Sequence, residues 1–283
     1  MEAENKEVKH KSKIASFFDT PKVWKAFAVG VIYMVVYALV SQIVGRALKL
    51  DIPQDELLTV PSNIYRGFML PIMITSGLLV AFSVYIGWFK ALFSKQNIAS
   101  SKWMWIGPIA VGLYIIAHFL SADYGESSTS VIVALLISTA FVGLTEELLT
   151  RGFVTKIVRD AGSSERKVAF VSSLIFGLMH STNIFTGQSF SNTLVQLFIT
   201  FLFGVVMYIS LRVTGYLAVT IVLHWLYDAS LFLQTGSISS SDISAIGPFA
   251  ALATFTGMLV PLVGFFALFF IRNPKNKDSK AKA

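Results

Sequence analysis

The sequence contains no cysteine, which removes disulfides, thiolate metal ligands and thiol nucleophiles together, although it does not name a compartment. Charge is also scarce. Asp, Glu, Lys and Arg make up 14% of the 283 residues, against about 25% in an ordinary soluble domain. Hydrophobic residues make up 54% and the mean hydropathy is +0.68, so a soluble globular fold is excluded and an all-α, polytopic membrane protein is expected. Histidine is limited to four residues, so any that falls inside an apolar run stands out. No repeat of fixed period and no extended low-complexity tract is visible.

What the chain does contain is a series of long apolar runs. A membrane-spanning helix needs about 20 such residues, and windows of that length lie near 26–48, 67–89, 103–120, 131–153, 168–186, 190–211, 216–234 and 248–271. About eight spans are expected over residues 26–271, between basic tails at 1–25 and 272–283. The "IASFF" of the first tail reads as an interfacial patch. The connections "DIPQDELLTVPSNIYRG", "SADYGESSTS" and "TGSISSSDISAIG" are polar loops, none long enough to be a separate domain. The first run follows a polar tail without a small-residue cleavage site, so it reads as a retained helix rather than a signal peptide.

Positive charge tests the count. With the first tail in the cytoplasm, the Lys and Arg residues gather in the tails and on the inner side of alternate loops. Only Arg46, Lys49 and Arg66 fall on the opposite side, as the positive-inside rule requires for eight spans with both termini in the cytoplasm. The expected location is a cell membrane, with a bacterial plasma membrane as the setting. The net charge of +7 is accounted for by these juxtamembrane segments and by anionic lipid, so no nucleic-acid partner is expected.

The informative residues interrupt spans four, five and seven. "LTEELLTRGF" places Glu147 and Arg151 at i, i+4, where opposite charges on a helix face each other and neutralise. Glu146 lies about 100° away around the helix and is left to another neighbour. "LIFGLMHSTN" places Phe176 and His180 at i, i+4, and "TIVLHWLYDAS" does the same for His224 and Asp228. At 1.5 Å per residue, Glu146 and His180 lie about 20 Å from the inner ends of their helices and His224 about 12 Å, which is consistent with one shared site. Ionisable groups at such depth face a bundle interior or a wet cavity. His118, near the end of span three, and His10 have no such company and read as structural and solvated.

A carboxylate and two imidazoles in a semi-dry pocket supply what hydrolysis needs, a base for water and a donor for the developing oxyanion. The same ligand types, Glu146, His180 and His224, could hold Zn2+ with a position open for water. The sequence leaves metal-free and metal-assisted chemistry both open.

In order along the chain, "EELLTRG" resembles the EExxxR motif, "FGLMH" the FxxxH motif and "HWLYD" the HxxxN/D motif of the CPBP family, the CAAX proteases and bacteriocin-processing or self-immunity (Abi) proteins. "QLFITFLFG", with Gln196 and Gly204, resembles that family's linking helix, and the resemblance covers about residues 128–233. It implies an intramembrane endopeptidase acting on a peptide or membrane-protein substrate, in bacteriocin self-immunity or in processing, historically called a metalloprotease. Residue by residue, it implies that Glu146 activates water with His180, that Glu147 supports the site with Arg151, and that His224 with Asp228 holds the oxyanion or completes the site. Asp228 stands where eukaryotic members have Asn. An ionised carboxylate cannot donate to an oxyanion, so Asp228 is protonated, orients His224 or ligates a metal.

Two other readings remain. The motifs could form the polar core of a non-catalytic immunity or scaffold protein, or serve a proton-coupled transporter, although no paired, interrupted half-helices suggest inverted repeats.

Overall fold

The structure is a computed structural model that describes residues 13–96, 98–122, 124–125, 127–235 and 249–273. Among the described residues, eight helices are long and apolar enough to cross a membrane: α1 (Val23–Ala47), α2 (Pro61–Tyr85), α3 (Lys102–Ser121), α4 (Thr129–Asp160), α5 (Glu165–Phe185), α6 (Phe190–Thr214), α7 (Leu217–Thr235) and α8 (Ala251–Phe270). The all-α, multi-pass expectation holds. Residues 1–12, 236–248 and 274–283, with about half of the first basic tail, most of the second and nearly all of the third polar loop, lie outside the described residues.

Two boundaries differ from the sequence reading. Pro61 occupies a first helical position, where its missing N–H costs nothing, so α2 starts six residues early and continues through a π turn, Ile64–Met69, that takes in Arg66. At the other boundary, α4 does not stop near residue 153 but runs to Asp160 through a second π turn, Leu148–Val154. The "IASFF" segment forms a short helix, Lys13–Phe17, and Phe17 and Phe18 meet Trp24, Phe82 and Trp88 edge-on. It is therefore joined to the bundle.

Turn chemistry sets the ends of the central helices. Ser128, Ser164 and Ser189 each accept a backbone N–H from three residues on, starting α4, α5 and α6, while Gly187 and Gly215 take the left-handed conformation after α5 and α6. The middle of the bundle is formed by α4 and α6. The first packs on α1, α2, α5 and α7, and the second on α3, α5, α7 and α8. The outer helices keep apolar rows exposed, such as Ile32, Val35, Leu39 and Ile43 on α1 and Phe255, Met258, Leu262 and Phe266 on α8. Such rows suit lipid, whereas water would penalise them.

One glycine decides the crossing that matters most. A Cβ on Gly143 of α4 would lie 2.8 Å from the backbone oxygen of Ile221 and 2.8 Å from the backbone nitrogen of Trp225 on α7. Backbone cannot yield as a side-chain tip can, so only glycine lets α7 approach α4 this closely. The Trp225 indole N–H then donates to the Leu136 carbonyl at 2.7 Å and holds the crossing in place.

A second polar assembly ties the far ends of α4, α5 and α6. Glu165 accepts from Arg159 Nε at 2.9 Å and from the Tyr208 hydroxyl, with Arg212 Nε 3.7 Å away. Its backbone N–H donates to Asn273 at 2.7 Å, and Arg212 donates to the carbonyls of Ala99 and Arg272. Glu165→Ala is expected to lower stability by roughly 3 kcal/mol, the low end for breaking a buried ion pair, because Arg159 keeps 24% of its side chain exposed. Thermal unfolding of the purified protein in detergent measures this as a lower midpoint.

Candidate active site

The first α-helical part of α4 ends at Glu147, and all seven residues of the π turn that follows are buried. Such wide turns recur at functional sites because they displace side chains from the regular helical register. Here the turn carries Arg151, whose Nη1 lies 3.1 Å from Glu147 Oε1, with both side chains fully buried. The i, i+4 pairing read from the sequence is therefore present. The guanidinium also donates to Thr150 Oγ1 at 2.5 Å and to the Gly204 carbonyl of α6 at 2.8 Å, and it sits 4.6 Å from the centroid of the Phe176 ring of α5. Gly204 meets Ser173 so closely that a Cβ would stand 2.9 Å from that side chain. Arg151 thus links three helices.

Glu147 has a second partner that helix periodicity does not reveal. His224 Nδ1 lies 2.9 Å from Glu147 Oε1, the oxygen that Arg151 also contacts. The other ring nitrogen, Nε2, faces Glu146 Oε2 at 3.7 Å and Asp228 Oδ2 at 3.5 Å. One imidazole therefore meets three carboxylates, and with Nδ1 bonded to Glu147 it is Nε2 that faces the two accessible ones. The sequence paired Glu147 with Arg151 alone, and here it also orients the histidine.

His180 begins a 3₁₀ segment, His180–Thr186, at the end of the regular part of α5. Its Nδ1 lies 3.1 Å from the Phe176 carbonyl. A carbonyl can only accept, so Nδ1 carries the proton, and Nε2 is the ring nitrogen left to face the site. Glu146 has His180, His224, Asp228 and Glu147 as its ionisable neighbours, and the ion-pair contact it makes among them is with His224. Asn183, on the same 3₁₀ segment, donates to Gln196 of α6 at 2.8 Å, and Gln188 donates to the same oxygen at 3.1 Å. These bonds anchor the segment that bears His180.

The site has two layers. Glu147, Arg151 and His224 are buried to 3% exposure or less, whereas Glu146 keeps 17% and Asp228 14% of their side chains accessible, and His180 is half-buried. The lower layer is a fixed scaffold, and the upper layer is what a substrate can meet. Aromatic walls close the sides. Phe176 stands edge-on to His180 at 5.3 Å and to His224 at 5.6 Å, and Phe203 of α6 does so to His224 at 5.2 Å. His118 is buried with Nδ1 2.9 Å from the Tyr114 carbonyl, which agrees with a structural role. Its neighbour Tyr114 stacks on Tyr227, however, and both tyrosines lie near Asp228.

Two further tyrosines come from α1, which the sequence reading treated as a plain apolar span. Tyr33 and Tyr37 stack with centroids 6.4 Å apart, and both lie within electrostatic reach of Glu146. The signal in the sequence was a polar-tipped row at i, i+4, i+8, formed by Tyr33, Tyr37 and Ser41.

Two imidazoles and several carboxylates form a donor set that zinc accepts. Among the described residues, however, no three His, Asp or Glu side chains are placed together to hold an ion. Both Nδ1 atoms are bonded elsewhere, one to Glu147 and one to a carbonyl, which leaves the two Nε2 atoms as the ring nitrogens that could ligate an ion.

Fold and site together define a multi-pass membrane protein with a carboxylate and imidazole cluster inside its helical bundle. Residues 127–230, just over a third of the chain, match the family model described as Type II CAAX prenyl endopeptidase Rce1-like. The resemblance to the CPBP and CAAX proteases carried by the motifs is borne out, and the match, which spans Glu146, Glu147, His180, His224 and Asp228, supports a membrane-embedded protease. No curated protein and no solved structure matches the chain.

Proposed function

We propose that this protein is an intramembrane endopeptidase that hydrolyses a peptide bond by carboxylate and imidazole catalysis. The observation that carries the reading is the shared imidazole of His224, held on Nδ1 by buried Glu147 and turned on Nε2 toward the accessible carboxylates of Glu146 and Asp228. Glu146 takes a proton from water as the water oxygen attacks the scissile carbonyl. The lone pair on His180 Nε2 accepts the second proton of that water in a hydrogen bond and fixes its direction. The Nε2–H of His224 donates to the oxyanion as it forms. On collapse of the tetrahedral intermediate, the proton on Glu146 passes to the departing amine.

Asp228 takes the second of its three roles, orienting His224 across one helical turn. The substrate is a peptide or membrane protein that reaches the site from the lipid or from its edge, and the biological setting is bacteriocin self-immunity or peptide processing. Membranes from cells carrying wild-type protein are expected to contain peptide termini absent from cells carrying Glu146→Ala, as read by mass spectrometry of recovered membrane peptides. Identical sets of termini, with both proteins inserted equally, would leave the non-catalytic reading in its place. Metal analysis of the purified protein separates this chemistry from zinc hydrolysis, because stoichiometric zinc would reassign Glu146, His180 and His224 as ligands.

A further inference from the structure

Resting on the peptidase reading, we propose that Gln196 of α6 is the positioning residue of His180: its side-chain oxygen clamps the 3₁₀ segment that carries the imidazole and so sets where Nε2 points. Catalysis by an imidazole depends on its placement, and a displacement of about 1 Å can cost 10²-fold in rate. His224 is placed from another helix, since Glu147 of α4 holds its Nδ1 at 2.9 Å. His180 is held differently. Its Nδ1 donates to the Phe176 carbonyl at 3.1 Å, four residues back on the same helix, which orients the ring against α5 but leaves the place of that turn to be fixed by something else.

The turn is weak by itself. From His180 to Thr186 the backbone is 3₁₀, whose poorer hydrogen-bond geometry makes long runs uncommon. Its own bonds are local. The Thr182 hydroxyl donates to the Met179 carbonyl at 3.0 Å, the Gln188 N–H donates to the Asn183 carbonyl at 3.1 Å, and Gly187 closes the end in the left-handed conformation. These bonds shape the segment without tying it to a neighbouring helix.

Gln196 supplies that tie. Its Oε1 accepts from Asn183 Nδ2 at 2.8 Å and from Gln188 Nε2 at 3.1 Å, so one oxygen of α6 holds the loop that follows His180 at two points. In a 3₁₀ helix the side chains at i and i+3 eclipse, which stacks Asn183 one turn from His180 on the same face. A clamp on Asn183 therefore acts on the imidazole. The oxygen is also a fixed reference. A Cβ on Gly177, three residues before His180, would stand 2.9 Å from the Leu197 carbonyl oxygen, so α5 and α6 meet backbone to backbone beside Gln196. Further along α6, Phe203 stands edge-on to His224 at 5.2 Å and the Gly204 carbonyl accepts from Arg151 at 2.8 Å. None of the catalytic groups assigned above lies on α6, yet this helix registers both histidines. Asn183, Gln188 and Gln196 are half-buried, so loss of the shared oxygen does not strand a donor in the core.

The test compares Gln196→Leu, Gln196→Glu and Glu146→Ala in purified full-length protein. The probe is a synthetic fluorophore–quencher peptide spanning a junction whose terminus appears only with wild-type protein. Gln196→Leu removes the shared oxygen and is expected to lower kcat about 10-fold to 10²-fold, with KM and the unfolding midpoint little changed. Gln196→Glu keeps an acceptor in the same place and should recover most of that loss. Equal losses in the two variants would overturn the inference, because the oxygen is then not what matters. So would a rise in KM at wild-type kcat, which makes Gln196 a substrate contact, or a loss that tracks a fall in the unfolding midpoint, which makes it a packing residue. Wild-type kcat in Gln196→Leu, with Glu146→Ala inactive, would overturn it and leave the peptidase reading standing. If no wild-type-only terminus exists, the peptidase reading falls and this inference falls with it.

Discussion

Glu146→Gln is expected to lower kcat for peptide cleavage by about 10²–10⁴-fold, the range for losing a general base, while expression, membrane insertion and unfolding midpoint stay near wild type. The reason lies in how loosely this carboxylate is held. Its ion-pair contact, to His224 Nε2, is as long as 3.7 Å and its side chain keeps 17% of its surface accessible, so an amide of the same shape fits without orphaning a buried group. Such a substitution usually shifts stability by no more than about 0.5 kcal/mol. The amide cannot accept the proton of water, and catalysis stops. His180→Ala and His224→Ala are expected to lose turnover as well, His224→Ala with some loss of stability because Glu147 then loses a partner. Turnover in detergent, measured beside thermal unfolding, separates the two quantities. Full activity in all three variants would remove these residues from the mechanism.

The second large effect is structural. Arg151→Met is expected to cost about 3–5 kcal/mol, because it leaves Glu147 fully buried without its cation. The loss also removes the bond to Gly204 and the contact with the Phe176 ring, so α4, α5 and α6 are loosened together. The double variant Glu147→Gln, Arg151→Met takes out both charges and should recover much of that stability, since replacing a whole buried ion pair is often close to neutral. It should not recover activity, because His224 Nδ1 then lacks the carboxylate that orients it. A double-mutant cycle on unfolding midpoint, with turnover measured on the same samples, reads both outcomes. If the double variant is no more stable than Arg151→Met, the pair does not act as a neutralising unit.

The spans were readable because hydropathy over about 20 residues is a local property. So were the pairs Glu147 with Arg151, Phe176 with His180 and His224 with Asp228, since helical geometry places residues four apart on one face. Where the reading fell short, the cause was also local. Pro61 and the π turns lengthened α2 and α4 beyond their apolar windows, because hydropathy does not sense a helix that continues into polar sequence. Tyr33 and Tyr37 were passed over because a tyrosine in an apolar run looks like packing until its neighbours are known. Gly143 carried no signal at all, being one small residue among many until α7 is seen lying against it.

The sequence by itself determined the class of protein, the helices that bear its costly groups and the motifs that place those groups in order, because hydropathy and helical period depend only on near neighbours. Only the tertiary structure decided that one histidine, His224, is shared by Glu147 on one nitrogen and by Glu146 and Asp228 on the other, and that α1 packs Tyr33 and Tyr37 on the cluster that holds Leu148 and Met179. Those facts depend on how each helix is rotated and how closely it crosses the next, which contacts between residues distant in sequence set: Gly143 against Trp225, Arg151 against Gly204, and Ser76 against Thr145.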